Sequence, residues 1–206
     1  MARRTKVDAD ATRQALLDAA ERVFYERGVA RASLAEIAQA AGATRGAIYW
    51  HFKDKMDVFV SMLGRICLPF EEICDDRYGD LLPLERIRHS ILCVFESLDE
   101  DERRRKVFET ALFKMEYVGE LADVRLQHIE SSGFAREKFA HDLAAAAQGQ
   151  SVQLSVSPEE AALGLHSLFV GLIHGWVLTE GSFSLVKVGS MSVDVYLSGL
   201  GFRVNL

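Results

Sequence analysis

The stretch that decides the fold is residues 33–55, SLAEIAQAAGATRGAIYWHFKDK. Ser33 and Glu36 stand three residues apart before an apolar run, which is the pattern of a capping box that opens a helix. Gly42 is placed to end this short helix, and Thr44 is a good N-cap for the next helix, which carries RGAIYWHF. Two short helices joined by a glycine turn are typical of a helix-turn-helix, whose second helix enters the major groove of DNA.

The second of these helices has an inner and an outer face. Ile48 and Phe52 lie four residues apart, so we expect both to face the core of the small domain. Arg45, Tyr49 and the edge of His51 then fall on the outer side, where cationic and hydroxyl donors suit phosphate and flat aromatic edges suit sugar and thymine methyl groups. The alternative is that Tyr49, Trp50 and Phe52 form an aromatic stripe in the core. Tyr49 and Trp50 cannot both belong to such a stripe, because adjacent side chains lie about 100° apart around a helix.

The rest of the chain also shows helical patterns. Upstream, apolar residues recur on one helix face from Asp10 to Arg27, with Asp8 or Asp10 as the cap and Gly28 as the end. Downstream, we expect helices at about 55–77, 84–98, 102–116, 121–147 and 158–179, while a helix near 190–201 is expected mainly from the family resemblance described below. The β-branched residues before that last piece also allow a strand. The prediction is an all-α protein with a three-helix DNA-binding domain at 1–54 and a larger helical domain at 55–206.

Composition excludes several classes of function. The chain has 206 residues, of which 49% are apolar and 26% charged, as in ordinary water-soluble domains. No apolar run approaches the roughly 20 residues that span a bilayer, and the N-terminus turns acidic where a signal peptide would be apolar, so we expect a cytoplasmic protein without membrane contact. The three cysteines Cys67, Cys74 and Cys93 lack metal-ligand spacing, and buried structural roles are expected for them, although a thiol switch involving the first two is conceivable.

Signals for catalysis are missing from the sequence. It contains no HExxH, GxSxG, Walker A or GxGxxG pattern and no pair of carboxylates on an obvious pocket face. We therefore expect no catalytic residue, no metal and no cofactor. A purely structural DNA-bridging protein, which needs no small-molecule pocket, is a further alternative.

Charge is distributed unevenly along the chain. The net charge is −6, but residues 1–55 hold ten Lys and Arg against seven Asp and Glu, a net +3, and the remainder carries −9. Binding to phosphates depends on the local field rather than on the total charge. The N-terminal arm with Arg3, Arg4 and Lys6 could enter a neighbouring minor groove or remain a solvated tail.

The string TRGAIYWHFKDK, preceded by SLAEIAQAAG and ALLDAAERVFYERG, resembles the N-terminal domain of TetR-family repressors over roughly residues 10–60. This resemblance implies that Ser33 contacts a phosphate and that the recognition helix reads bases with Thr44, Arg45 and Ala47. Gly46 and Ala47 are small, so this helix can approach the base edges closely. It likewise implies that four further residues contact mainly the sugar-phosphate backbone of the DNA, namely Tyr49, Trp50, His51 and Lys55.

Over a wider span the sequence is similar to the drug-efflux branch of that family, the AcrR, TtgR and MtrR type. The segments ARRTK, GVARASL and GLIHGW carry this similarity. It implies a ligand-responsive repressor that binds a palindromic operator as a homodimer, is released by a lipophilic small molecule and controls an efflux pump operon. A regulator that answers to a metabolite, lipid or oxidant is the alternative.

One late segment, LGLHSLFVGLIHGW at 163–176, is apolar nearly all round and must be covered on two sides. Its pocket side would carry His166, Val170 and His174, and its partner side Leu165, Leu168, Leu172 and Trp176. For each apolar position, core packing is as good an explanation as ligand contact. The full set of candidate ligand-binding residues is Ile66, Phe70, Ile91, Val94, Phe108, Leu112, Phe139, His166, Val170 and His174.

The long helix that begins at Lys55 connects the two predicted domains. Gly64 and Pro69 lie inside it, and the proline removes one helical hydrogen bond, so we expect a kink there. The hypothesis is that ligand binding tilts this helix and changes the separation of the two recognition helices of a dimer. A ligand achieves this only through its differential affinity for the two states.

Overall fold

A computed structural model describes the backbone of residues 6–73, 80–114 and 122–204, and the side chains of residues 7–65, 80–114 and 133–204. Within these ranges the chain is all-α, as expected, and no strand occurs. The described helices are α1 (Lys6–Arg27), α2 (Leu34–Ala40), α3 (Arg45–His51), α4 (Lys55–Ile73), α5 (Pro83–Glu100), α6 (Glu102–Phe113), α7 (Ala122–Gln150), α8 (Pro158–Leu178) and α9 (Leu185–Gly199).

By packing, the chain divides into two compact units. Unit 1 comprises residues 1–67 and 103–127, which include α1 to α3, most of α4, and all of α6 except its first residue. Unit 2 comprises residues 68–102 and 128–206, which include α5, most of α7, α8 and α9. The boundary expected at residues 54/55 concerns the division of function and stays a prediction.

The core of unit 1 is assembled by α1, α2, α3 and the first half of α4 around apolar side chains. Ile37 and Ile48 are fully buried and Phe52 is 2% exposed, which confirms the inner face expected for α2 and α3. One further helix joins this core, because Val107 of α6 is buried in the same cluster and Phe108 packs against it. The sequence did not reveal this contribution, since α6 lies more than fifty residues downstream.

Glycines end two of the helices in unit 1. Gly28 follows α1 with φ +78° and Gly42 follows α2 with φ +67°, a backbone region in which glycine avoids the steric cost of a Cβ atom. These two ends are where the sequence places them. The start of α1 differs from expectation, because the helix already includes Lys6, so Asp8 and Asp10 lie inside it and neither is its N-cap.

In unit 2, α9 packs against both α5 and α8. It begins at Leu185, where the Ser184 hydroxyl accepts a hydrogen bond from the Lys187 amide at 3.2 Å. The segment is therefore a helix from its first residues, and the strand alternative is wrong. Gly189 allows the close approach to α5, since a Cβ atom there would lie 2.2 Å from the ring of Phe95.

Two ion pairs with buried carboxylates tie α5 to other helices of unit 2. Arg86 donates to Asp142 of α7, and this hydrogen bonding raises the pKa of Arg86 above its ordinary value. Arg88 donates to both carboxylate oxygens of Asp194 in α9. Because both aspartates are nearly inaccessible to water, removing either arginine would leave a buried charge without its partner.

α8 begins as expected, with Ser157 as the N-cap and Pro158 in the first turn. The partner-facing side assigned to it from the sequence is wrong for two residues, because Leu165 and Trp176 are 0% and 2% exposed within unit 2 itself. The exposed stripe runs instead through Leu163, Ser167, Gly171, His174 and Leu178.

α8 also departs from an expectation based on composition. By length and apolar content alone its 21 residues could cross a membrane, contrary to the view that no apolar stretch is long enough. The core helix of a water-soluble protein passes the same test. One side of α8 is indeed buried in unit 2 by residues that include Phe169 and Ile173.

Candidate DNA interface and ligand-binding site

The recognition helix α3 is fixed at both ends. The Thr44 side chain accepts a hydrogen bond from the Ala47 amide at 3.2 Å and so caps the helix, as the sequence predicts. At the other end the Phe52 amide donates to the Ile48 carbonyl, and the Phe52 ring lies 5.1 Å from the guanidinium carbon of Arg13. Thr44 is exposed, and its hydroxyl retains a hydrogen that it can donate to a phosphate.

The outer face of α3 carries exposed aromatic rings. Tyr49 and Trp50 expose 51% and 73% of their surfaces, so the core-stripe alternative is wrong for both. The guanidinium carbon of Arg45 lies 5.9 Å from the centre of the Tyr49 ring, and the Trp50 ring meets the His51 ring edge-on at 4.5 Å. These contacts stay within the outer face and leave ring surface available to a partner.

Gly46, beside Thr44 at the start of α3, is exposed. The nearest atom to a Cβ built there is the Thr44 hydroxyl oxygen, at 4.0 Å. The fold of the protein therefore does not require glycine at this position. A requirement for glycine would have to come from a molecule outside the chain.

Ser33 caps α2 in the expected capping box. Its hydroxyl donates to the Glu36 carboxylate at 2.8 Å and accepts from the Glu36 amide at 3.3 Å. The Ser33 amide donates to the same carboxylate at 2.9 Å. These bonds from Ser33, together with Arg27, hold the pKa of Glu36 below its ordinary value. The hydroxyl hydrogen of Ser33 must leave Glu36 before it can bind a phosphate.

Lys55 has a role that its sequence neighbourhood does not indicate. Its ammonium group donates to the carbonyl oxygens of Ala30 at 2.8 Å and Ala32 at 3.1 Å. These atoms belong to the loop before α2, about 25 residues earlier in the chain. An ammonium group has three hydrogens, so one remains for the phosphate contact that the family resemblance implies.

Of the N-terminal arm, Arg3 and Arg4 and the side chain of Lys6 lie outside the described residues. The same holds for the side chains of two candidate ligand-binding residues, Ile66 and Phe70, and for those of Pro69, Cys67 and Cys74. Their proposed roles stay predictions.

Six of the candidate ligand-binding residues whose side chains are described belong to unit 2. Ile91 and Val94 of α5 and Phe139 of α7 are at most 8% exposed. His166 and Val170 of α8 are half-buried. The sixth, His174, belongs to the exposed stripe of α8, so its side chain does not line the interior of unit 2.

The two remaining candidates, Phe108 and Leu112, lie on α6 in unit 1. Phe108 packs against the core of the helix-turn-helix. Packing alone therefore explains its apolar character.

Cys93 of α5 is a free thiol with its sulfur 3.5 Å from Nε2 of His89. Burial raises the pKa of this thiol, which disfavours the reactive thiolate.

A rigidly capped helix-turn-helix with an exposed basic and aromatic recognition helix defines a DNA-binding protein. The model of the bacterial regulatory proteins of the tetR family matches residues 16–62. The model of the MAATS-type transcriptional repressor C-terminal region matches residues 82–202. The chain belongs to the TetR family of transcriptional regulators, and it is not an enzyme.

Known proteins are similar over nearly the whole chain. The transcriptional repressor BepR of Brucella suis is 39% identical over 99% of this chain and 99% of its own. The structure of NalD, the secondary repressor of the MexAB-OprM multidrug efflux pump in Pseudomonas aeruginosa, superimposes with a TM-score of 0.85 at 30% identity, covering 95% of this chain and 99% of NalD.

A complex of SmeT with triclosan superimposes with a TM-score of 0.79 at 33% identity, covering 92% of this chain and 91% of SmeT. SmeT is the repressor of the Stenotrophomonas maltophilia multidrug efflux pump SmeDEF. The resemblance to the drug-efflux branch is therefore confirmed. Members of the family are dimeric and bind operator DNA and small molecules.

Proposed function

We propose that this chain is a cytoplasmic repressor of an efflux pump operon, that it binds a palindromic operator as a homodimer, and that a lipophilic small molecule releases it. The observation that carries the proposal is the outer face of α3. Two adjacent aromatic rings are exposed there beside Arg45 and Thr44, on a helix whose inner face is locked into a core. Exposed aromatic rings contribute little to the free energy of folding, whereas the backbone and bases of DNA offer surfaces that such rings can contact.

Each side chain of this face suits a part of the DNA. Arg45 is the long donor that can reach a guanine, and a bidentate contact discriminates by about 1–3 kcal/mol. Thr44 and Ala47 face base edges, and Gly46 permits the close approach. The aromatic pair, His51, Lys55 and Ser33 bind the sugar-phosphate backbone.

The homodimer rests on exposed apolar side chains of unit 2. Leu163 and Leu178 on α8, and Met191 and Val195 on α9, are between 49% and 67% exposed. These helices pack against each other, so the four side chains lie on neighbouring elements. A second copy that covers them forms a four-helix interface and presents two recognition helices to half-sites about 34–36 Å apart.

The ligand site is proposed in unit 2, where Ile91, Val94, Phe139, His166 and Val170 provide apolar surface and one polar ring. Two similar proteins of known structure, NalD and SmeT, repress multidrug efflux pumps, and SmeT binds triclosan. A lipophilic ligand for this chain is consistent with both facts.

The test is binding of the purified protein to the DNA upstream of its own gene, with and without triclosan and a panel of lipophilic antimicrobials and dyes. Specific binding that some of these compounds reverse supports the proposal. Specific binding that none of them affects redirects the ligand to metabolites, lipids or thiol oxidants. An absence of specific binding by a folded dimer contradicts control of a neighbouring operon.

Two variants connect this test to α3. Arg45→Ala is expected to weaken operator binding by at least tenfold, because it removes a donor to a base or a phosphate. Lys53→Ala is the matched control, since Lys53 is also exposed and carries the same charge but follows the helix. Equal losses in both variants would mean that only the general positive field is being measured.

A further inference from the structure

The loop that joins α1 to α2, residues 28–33, determines where α2 begins. It ends at Ser33, the N-cap of α2, and it includes Val29, which is fully buried. The Val29 amide donates to the carbonyl oxygen of Lys114 at 3.0 Å. Lys114 directly follows α6, so the end of α6 is bonded to the loop that leads into the helix-turn-helix.

The Lys114 side chain strengthens this junction. Its ammonium group donates to the Tyr25 carbonyl at 3.0 Å, pairs with Glu109 at 2.8 Å and lies 3.6 Å from the centre of the Tyr25 ring. Three partners account for its three hydrogens, and its side chain is 27% exposed. The geometry therefore favours an internal role and leaves no hydrogen for a DNA phosphate.

The backbone at Gly28 fits closely against the same residue. Gly28 has φ +78°, and a Cβ atom built there would lie 3.4 Å from the Lys114 carbonyl oxygen. On the other side of the loop, Lys55 donates to the Ala30 and Ala32 carbonyls. The loop is thus held by the start of α4 and by the end of α6.

The end of α6 is connected through the chain to helices of unit 2. α6 packs in unit 1, but α5 precedes it and most of α7 follows it, and both belong to unit 2. A change in unit 2 that displaced the end of α6 would reach the Val29 amide through one hydrogen bond, the bond from that amide to the Lys114 carbonyl. It would also act on the Tyr25 carbonyl at the end of α1.

We propose that Lys114 is a positioning residue for DNA binding: it fastens the end of α6 to the α1–α2 loop, and its release loosens the start of α2 without any contact between Lys114 and DNA. This inference rests on the proposed function and deepens it by naming a second route of regulation beside α4. The route requires no tilt of α4.

The test compares three variants of the full-length dimer. Lys114→Met removes the charge and keeps the length of the side chain, and Lys114→Arg keeps a cation that can stack and donate. Lys106→Met is the matched control, because Lys106 lies on α6, which Lys114 follows, and its ammonium group is 5.6 Å from the centre of the Tyr25 ring. Operator affinity is measured at several salt concentrations, together with amide hydrogen exchange of residues 28–34 and thermal unfolding.

We expect Lys114→Met to weaken operator binding about tenfold, the effect of losing one charged hydrogen bond. The slope of log affinity against log salt should stay unchanged, and exchange in residues 28–34 should accelerate. Lys114→Arg and Lys106→Met should resemble the wild type. A slope reduced by about 0.9 would indicate a direct phosphate contact and overturn the proposal.

Unchanged affinity in Lys114→Met, or an equal loss in Lys106→Met, would also overturn it. If loss of binding accompanied unfolding of the whole protein rather than faster exchange in the loop, a general structural role would replace the positioning role. A wild-type protein without operator binding would contradict the proposed function. In that case unchanged loop exchange in Lys114→Met would still refute the fastening of the loop.

Discussion

Glu36 satisfies three neighbouring groups at once. Its carboxylate accepts from the Ser33 amide, the Ser33 hydroxyl and Arg27. In the free protein these bonds direct the donors at the start of α2 toward a side chain of the same helix. A DNA phosphate bound at Ser33, as proposed above, would compete with that carboxylate, so we expect Glu36 to moderate the affinity of the interface as well as completing the capping box of α2.

The depressed pKa of Glu36 predicts a pH dependence of stability. A carboxyl with a lowered pKa in the folded state stabilises the protein above its ordinary value of 4.5, and the contribution disappears as pH falls through the folded-state pKa. Glu36→Gln should therefore be less stable than the wild type at pH 7, and the difference should shrink below about pH 4.5. Urea unfolding of both proteins between pH 7 and 3.5 measures it, and a gap that stays constant over the whole range would contradict the assignment.

Gly46 gives a second prediction, one that separates stability from binding. Gly46→Ala should leave unfolding unchanged or stabilise the protein by up to about 1 kcal/mol, because alanine favours helix and the site has room. Operator binding should weaken by about tenfold if the backbone of α3 approaches the bases closely.

The matched control for that variant is Gly149→Ala, another helical glycine with open space around it. It should have the same sign of effect on stability and none on DNA binding. Full affinity in Gly46→Ala would mean that α3 stands away from the base edges.

Among the secondary structure elements, α8 and α9 depend on each other through one close contact. The Tyr196 hydroxyl donates to the Ala161 carbonyl at 2.8 Å, and burial raises the pKa of this phenol. The hydroxyl passes over Gly164, where a Cβ atom would lie 2.3 Å from its oxygen. The hydrogen bond from Tyr196 therefore depends on the absence of a side chain at Gly164.

A double-mutant cycle tests this feature. Gly164→Ala should destabilise the protein by about 1–3 kcal/mol through overpacking, and Tyr196→Phe by about 1 kcal/mol through the lost bond. The double variant should lose less than the sum, because removal of the oxygen makes room for the methyl group. Urea unfolding gives the free energies, with Gly175→Ala as the control in open space on the same helix. Strictly additive losses would refute the coupling.

Much of the helical framework was accessible from the sequence, because its signals are local. The caps Ser33, Thr44 and Ser157 and the terminating Gly28 need only neighbours within a few residues. α9 was harder to predict, since β-branched residues favour strand locally and only its packing against α5 and α8 resolves the conflict.

The candidate DNA interface likewise has features that local sequence patterns predict and contacts that they do not. The outer face of α3 follows from helical periodicity, and its exposure agrees with the prediction. The contacts of Lys55 with Ala30 and Ala32 and of Lys114 with Val29 join distant segments, so no periodicity reveals them. Leu165 and Trp176 were wrongly assigned to the partner-facing side of α8 because apolar residues occupy nearly its whole circumference, and only burial distinguishes Leu165 from Leu163.

For the molecule as a whole, the exposed apolar side chains of α8 and α9 predict the effect of a charge on assembly. Val195→Glu should shift the protein from dimer to monomer at micromolar concentration, because Val195 is 67% exposed in the single chain and would become buried in the dimer. Helical content should be retained, and operator binding should fall at least a hundredfold, because one recognition helix alone holds a half-site weakly.

Sedimentation analysis and circular dichroism check this prediction. Val156→Glu is the control, since Val156 is 42% exposed and lies before α8, outside the proposed interface. A Val195→Glu protein that remains dimeric at low concentration would place the interface elsewhere.

The participation of α6 in the core of unit 1 bears on how such regulators can be recombined. A fragment that ends after α4 would lack Val107, and the apolar surface that this residue covers would face water. The DNA-reading half is thus not a portable module that can be excised at one point of the gene. A biosensor that joins this operator specificity to a foreign sensor domain needs two crossovers, so that α6 travels with the recognition helix it supports.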